Sequence, residues 1–450
     1  MKSTIIRIFL LAAIVTVSSL LQAQSLSLDS CIALARRNNI DIRTSQLEIE
    51  RAQAVKAQIF TKYFPQLHLG ALGYYAVNPL ISFSVEDIPT EDLRDFLVRL
   101  RDELSGETDM LDDMTFMQKG ASVSAVVAQP IFAGGRIVNG NRLARLGVEA
   151  AGLQADVKIR DVIENIESSY YLVVGLQQKV STVAAALDLI DSLDHTVQLA
   201  LASGLVTRAD ALQVQLKRNE MLANRQQLAS GIRLAKRMLC RQIGIDYSDA
   251  LVFDDSIAVY MPPLAYTYSD CADSLRPEMR LLQLNVEAER LQRKLTLGET
   301  LPQLTLAGSA YYGNLIKTDA NANAIGLLSL SVPLTGWIET SRKLRQHDIK
   351  IQEAELMQDH YSRMMSLEEE KAYSDMVDAY VLMQSDSSAL DVAIENYRLA
   401  NLNYTAGAAT LSDVLQAHAL LLQAQNAITD RRTTYAVARR RLMDLRSLDK

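Results

Sequence analysis

The side chains able to make or break bonds are few and scattered. The five histidines, His68, His195, His347, His360 and His418, stand singly, with no pair one helical turn apart and no cysteine neighbour. A metal site needs three or four such ligands converging at short spacing, so none is expected. The sequence holds no glycine-rich phosphate loop and no nucleophile elbow. Cys31 and Cys271 sit in similar contexts, Leu28-Asp29-Ser30-Cys31 and Tyr268-Ser269-Asp270-Cys271. A disulfide between them is open in an oxidising compartment, with two buried free thiols the plainer reading. Cys240, in Met238-Leu239-Cys240, reads as a core residue. No catalytic residue, metal or cofactor is expected.

What recurs is a turn. Gly204-x-x-Thr207-x-x-Asp210-x-Leu212-Gln213 reappears as Gly407-x-x-Thr410-x-x-Asp413-x-Leu415-Gln416. Glycine takes the left-handed conformation that ends a helix. Threonine followed three residues later by aspartate has the spacing of a capping box that starts the next one. The chemistry on offer is therefore a carboxylate held at a helix N-terminus, twice.

The elements that position these turns follow from proline. Only nine prolines occur in 450 residues, and 131 residues separate Pro130 from Pro262 without one; another 117 follow Pro333. Proline inside a helix costs about 3 kcal/mol, so both tracts, rich in Ala, Leu, Gln, Arg and Glu, read as helices broken at Gly204 and Gly407. The expected long helices span 137–203 and 338–405, followed by shorter ones over 207–243 and 410–446.

The chain reads as a duplicated unit. Phe64-Pro65-Gln66-Leu67-His68-Leu69 through Tyr74-Tyr75 matches Leu301-Pro302-Gln303-Leu304-Thr305-Leu306 through Tyr311-Tyr312. Leu47 and Glu50 in the preceding helix fall on Leu284 and Glu287, and Gln129-Pro130-Ile131 answers Val332-Pro333-Leu334. With the two turns, four blocks match in the same order. The first repeat is expected over 24–260 and the second over 261–450, where a helix at 279–299 leads in.

Four strands of ten to twelve residues are expected at 66–77, 122–132, 303–312 and 324–334, a length that suits a tilted membrane strand. Leu304, Leu306, Ala310 and Tyr312 alternate with Thr305, Ala307, Ser309 and Tyr311, giving one greasy and one smaller, more polar face. Two hairpins of a soluble sheet would alternate in the same way. If the strands do meet lipid, four of them cannot close a barrel and an open edge cannot face hydrocarbon, so several chains must pool them; three copies give twelve.

Lys2 and Arg7, the apolar stretch Phe9 to Leu21 and the small Ala23 read as a secretory signal over 1–23, with an uncleaved helical anchor as the alternative. Loss of Lys2 and Arg7 takes the formal charge from −7 to −9. An acidic chain argues against nucleic acid as a partner. No uninterrupted run of 18 apolar residues follows the first 25, which speaks against a helical span in the mature protein. Between the first two strands, residues 76–120 carry eleven acidic and four basic residues, read as an acidic external loop, partly helical through 91–103.

The duplicated pattern, above all Gln129-Pro130-Ile131-Phe132 with Gly134-Gly135-Arg136 and the two Gly-x-x-Thr-x-x-Asp turns, resembles the outer-membrane efflux protein (TolC) family over essentially the whole mature chain. That resemblance implies a mainly α protein with membrane β: a homotrimer whose twelve-stranded barrel in the outer membrane continues as a twelve-helix periplasmic α-barrel. It implies a passive, non-enzymatic exit duct of a tripartite efflux pump for small molecules, or of a type I protein secretion system. Its partners would be outer-membrane lipid, a periplasmic adaptor and an inner-membrane transporter. Gly204, Thr207, Gly407 and Thr410 would form tips that meet the adaptor. Asp413 would stand in a charged ring at the closed pore, and Tyr404 would link to Asp210. Gln416 is uncharged where a second ring is expected, and Ala409 replaces an arginine of the latch. The second strand-to-helix joint is two residues shorter, with Trp337 where Arg136 stands, either at a membrane interface or in ordinary joint packing. A soluble periplasmic coiled-coil adaptor or filament is the competing class; an exported enzyme lacks any candidate nucleophile.

Overall fold

The structure, a computed structural model, describes residues 25–77, 81–83, 90–104, 114–116, 119–249, 251–254, 263, 276–314, 320–333 and 336–446. The expected signal segment, Cys271 and parts of the acidic loop lie outside these residues. The elements are β1 (Ser25–Leu26), α1 (Leu28–Asn38), α2 (Ile40–Phe60), β2 (Gln66–Tyr75), β3 (Ile81–Phe83), α3 (Glu91–Leu104), β4 (Met114–Phe116), β5 (Lys119–Ala133), α4 (Arg136–Ala202), α5 (Arg208–Ile243), β6 (Val252–Phe253), α6 (Pro277–Glu299), β7 (Gln303–Gly313), β8 (Asn321–Ser331), α7 (Trp337–Thr405) and α8 (Leu411–Leu445). They form two compact units that each draw on both halves of the chain. One comprises residues up to Arg51, Glu149–Leu284 and Glu355 onward; the other comprises Ala52–Val148 and Asn285–Ala354.

The first unit is helical, and its core is built from one stripe of each helix. Ile166, Val173 and Val174 of α4, Leu239, Cys240 and Ile243 of α5 and Cys31 and Ala35 of α1 bury together around Phe253. The apolar surface they remove from water is what repays the ordering of such long elements. Tyr170 Oη donates to the Leu26 and Asp254 carbonyls, tying α4 to the short parallel pair β1–β6, which the residue pattern did not suggest. Cys31 is a free, fully buried thiol pushed up to about 12 by burial, then by Cys240 nearby; it is unreactive for that reason. The first helix is broken at Asn39, whose side-chain oxygen accepts from the Asp41 and Ile42 amides and so starts α2. One described helix, α4, is long and apolar enough to cross a membrane by composition. Val162, Val173, Val174 and Val183 of α4 are instead buried core residues.

The second unit holds a single antiparallel sheet in the order β2-β5-β7-β8. Its register sets the two faces. Leu67, Leu69, Val123, Val127, Leu304, Leu306, Leu328 and Leu330 fall on one; Ser124, Thr305, Ser309, Asn323 and Ser329 fall on the other. Leu69 is 77% exposed, Leu328 68% and Leu330 67%, so the apolar face is uncovered in this chain. Tyr75 and Tyr312 crown that face at the loop end, both largely exposed. β8 begins three residues earlier than the alternation suggests. Asn321 pairs with Gly313, and the ladder stops at Ser331, before Pro333, which has no N–H to give. Pro130 is accommodated inside β5 because the register shifts between Pro130 and Phe132, a bulge.

The strand-to-helix joint between β5 and α4 depends on Gly134. Its φ is +60°, and a Cβ there would lie 2.1 Å from the Gly298 carbonyl oxygen. Gly134→Ala is therefore expected to lower the thermal unfolding midpoint of the purified protein by a cost of at least about 2 kcal/mol. Gly147→Ala is the control, since a methyl there meets nothing within 4 Å. It should be neutral or slightly stabilising.

Candidate functional site

Both turns close in the same way. α4 ends with Gly204 at φ 71°, where the Gly204 amide donates to Leu201 O and the Leu205 amide to Ala200 O. α7 ends with Gly407 at φ 76°, its amide on Tyr404 O and that of Ala408 on Asn403 O. This six-to-one and five-to-two pairing satisfies carbonyls that the helix leaves open. A full capping box then opens each following helix. Asp210 Oδ2 accepts from the Thr207 amide at 2.9 Å and its hydroxyl at 2.7 Å; Asp413 Oδ2 does so from Thr410 at 2.9 and 2.7 Å. The Thr207 and Thr410 hydroxyl oxygens accept in return from the Asp210 and Asp413 amides.

These bonds hold both carboxyls below the ordinary 3.8, first through the threonine hydroxyls and then through the backbone amides. Each turn therefore carries a fixed negative charge at neutral pH. The turns share one apolar cluster: Ala211 and Val214 of α5, Leu411 and Val414 of α8, and Ile190, Leu193 and Val197 of α4, with Tyr404 and Tyr397 packed against it. Tyr404 is raised above its ordinary value by burial and then by the Asp210 charge, so the structure brings these two residues together. Asp413 belongs to the other turn and is hydrogen-bonded within its own cap.

His418 has a role that the residue pattern alone did not indicate. It is 2% exposed, one turn beyond Val414, with its ring edge-on to Tyr397 at 5.7 Å between centroids. Burial, then Lys217 nearby, lowers its pKa below the ordinary 6.5, against a hydrogen bond with the Ala186 backbone. The signal was available in the buried side of α8, where Leu411, Val414, His418, Leu421 and Leu422 recur at helical spacing. Among the described residues no group of three or more His, Cys, Asp or Glu side chains could hold a metal ion.

The fold is shared with solved outer-membrane proteins. The chain superposes on the crystal structure of the Campylobacter jejuni CmeC outer membrane channel with a TM-score of 0.74 at 16% identity, covering 93% of this chain and 85% of that one. The outer membrane protein VceC of Vibrio cholerae gives 0.71 at 17% identity, covering 93% and 95%. The Neisseria gonorrhoeae MtrE outer membrane channel gives 0.74 at 15%, covering 93% and 88%. Residues 270–446 match the family model described as outer membrane efflux protein. No match is found among curated protein sequences.

The pH dependence of stability has two windows. His418 is neutral when folded, and the unfolded chain takes up a proton below pH 6.5, so stability falls as pH drops through 6.5 towards the lowered folded value. The stabilisation from the Asp210 and Asp413 caps persists above the ordinary 3.8 and is lost only as pH falls through their lower folded values. Thermal unfolding between pH 7.5 and 5 is therefore expected to show a falling midpoint, and His418→Gln should flatten that slope. An unchanged slope in the variant would assign the loss elsewhere.

Proposed function

We propose that the chain is the outer-membrane duct of a tripartite efflux pump, three copies pooling their strands into one closed twelve-stranded barrel continued by a twelve-helix tunnel. The observation that carries this reading is the β2-β5-β7-β8 sheet. It has an uncovered apolar face and two edges, β2 and β8, with no further strand beside them among the described residues. Lipid cannot hydrogen-bond to such edges, and only closure removes them. The rotation of three copies brings the β8 edge of one against the β2 edge of the next. The duplicated strand and turn blocks, one set in each half of the sequence, supply two hairpins and two capped turns per copy.

In this reading the turns at Gly204–Thr207 and Gly407–Thr410 are tips offered to a periplasmic adaptor, and an inner-membrane transporter supplies energy and chooses the cargo. Asp413 is the ring residue of the closed entrance. Three copies bring three carboxylates near one axis, where like charges repel each other and attract cations. Asp210 and Tyr404 belong to the same latch, an arrangement supported by their proximity within one protomer. The duct itself performs no bond chemistry.

Protein extracted in detergent from an outer-membrane fraction is expected to keep a native mass of about three chains. A monomer recovered from the soluble periplasm would overturn the barrel. In planar bilayers the wild-type pore should favour cations, and Asp413→Ala should lower that permeability ratio at least roughly twofold and weaken block by multivalent cations. Unchanged selectivity would remove Asp413 from the gate.

A further inference from the structure

Beneath the sheet, the second unit carries a strongly basic groove between α4 and α6. Arg142, Arg145 and Leu146 of α4 line one wall, and Arg290, Leu291 and Lys294 of α6 line the other, around a cavity of about 380 Å³. Glu287 is the one carboxylate on it. Among the described residues, Arg142, Arg145 and Lys294 enter no ion pair. Three cations outside any ion pair, Arg142, Arg145 and Lys294, thus share one opening with Arg290 and Glu287.

The side of the unit on which this groove opens can be read from its neighbours. A second cavity, of about 510 Å³, is lined by Gln66 and Pro130 together with Ile137, Gly140 and Leu143. Gln66 pairs with Ala128, and Pro130 with Thr305, so both strand residues belong to the polar face of the sheet. Ile137, Gly140 and Leu143 continue that face along α4. At about 100° per residue, Arg142, Arg145 and Leu146 lie roughly half a turn away around the same helix. The basic groove therefore continues the apolar face. Trp337, the first residue of α7 and 60% exposed, lines a separate groove with Leu297 of α6, Arg345 of α7 and Leu301.

We propose that this groove binds the phosphate of anionic phospholipid headgroups in the leaflet on the helical side of the membrane. The proposal rests on the channel reading, which puts lipid against the apolar face. Arg142 and Arg145 lie about 9 and 14 Å along α4 from its start, and Lys294 about 8 Å from the end of α6. The headgroup zone is roughly 5–8 Å deep on each side of the hydrocarbon. Arginine and lysine stems reach back over that remaining distance with their charged ends in the polar layer. Arginine forks suit phosphate oxygens, and two of them on one wall allow bidentate capture. An exposed indole at the strand–helix boundary marks the same interface.

The test uses the full-length assembly in detergent. Native mass spectrometry would follow retention of phosphatidylglycerol and phosphatidylcholine of equal chain length, alongside assembly mass and bilayer conductance. Wild type is expected to retain the anionic lipid about tenfold more strongly. Combining Arg142→Gln, Arg145→Gln and Lys294→Gln should bring the ratio close to one with mass and conductance unchanged, while the charge-keeping pair R142K and R145K keeps most of it. If the triple variant fails to assemble, Lys294→Gln alone carries the test, with a loss of about threefold expected. A conducting trimer with no anionic preference, or a preference untouched by the substitutions, overturns the groove alone. Soluble glycerol phosphate competing on equal terms with the intact lipid would overturn it in favour of a soluble anion. A wild type that neither trimerises nor conducts overturns the channel reading and the groove with it.

Discussion

The backbone hydrogen-bonding groups along β2 and β8 are the constraint on which everything else depends. Among the described residues each edge strand pairs on one side only, β2 with β5 and β8 with β7. In water, exposed edges of this kind invite aggregation; in hydrocarbon each unpaired group costs several kcal/mol. The apolar face makes water an equally poor partner. Leu67, Leu69, Leu328 and Leu330 are uncovered, and packing within the chain does not hide them. A sheet unsuited to water on one face and to lipid at its edges calls for further strands at both edges, and the proposed trimer would supply them by joining β8 of one copy to β2 of the next.

The long helices obey the same logic by different means. A helix satisfies its own backbone along its length and leaves only its ends open. The ends at Gly204 and Gly407 are finished with paired amide–carbonyl bonds, and the next helices begin with carboxylates locked onto threonine. What remains open is lateral. Leu356 and Val392 on α7 are each 70% exposed, and Leu212 and Leu216 on α5 are 55% and 62% exposed, more apolar surface than one chain covers. Protomers packed side by side would bury such stripes, as the strands would bury their edges. The two capped turns thus sit where one helix stops at glycine and the next starts at a threonine–aspartate cap, and one of those aspartates, Asp413, supplies the negative charge proposed for the gate.

Much of this was legible in the residues. Proline spacing located the long helices, because a missing N–H and a ring clash exclude proline from helix interiors. The Gly-x-x-Thr-x-x-Asp repeats gave the turns and both capping boxes, since those bonds are local and join residues three apart. Alternation gave the two faces of the sheet, and the apolar run Leu304, Leu306, Ala310, Tyr312 fell on the exposed face, as the period of two requires. The resemblance to outer-membrane efflux proteins, read from Gln129 to Arg136 and the two turns, agrees with the match over residues 270–446 and with the fold.

Tertiary structure alone decided the rest, and each case involves residues far apart in the chain. The parallel pairing of Ser25–Leu26 with Val252–Phe253 carries no pattern in two residues and exists because Tyr170 and Phe253 anchor it. The true span of β8 was set by its register against β7, through Gly313 and Asn321, rather than by its own alternation. His418 reads as a lone polar residue until the helices assemble and remove water from its ring. Arg142, Arg145, Arg290 and Lys294 stand in two separate charged helices; only the approach of α4 and α6 gathers them into one groove. Local bonding is written in neighbouring residues, whereas burial, register and charge clustering depend on which distant segments meet.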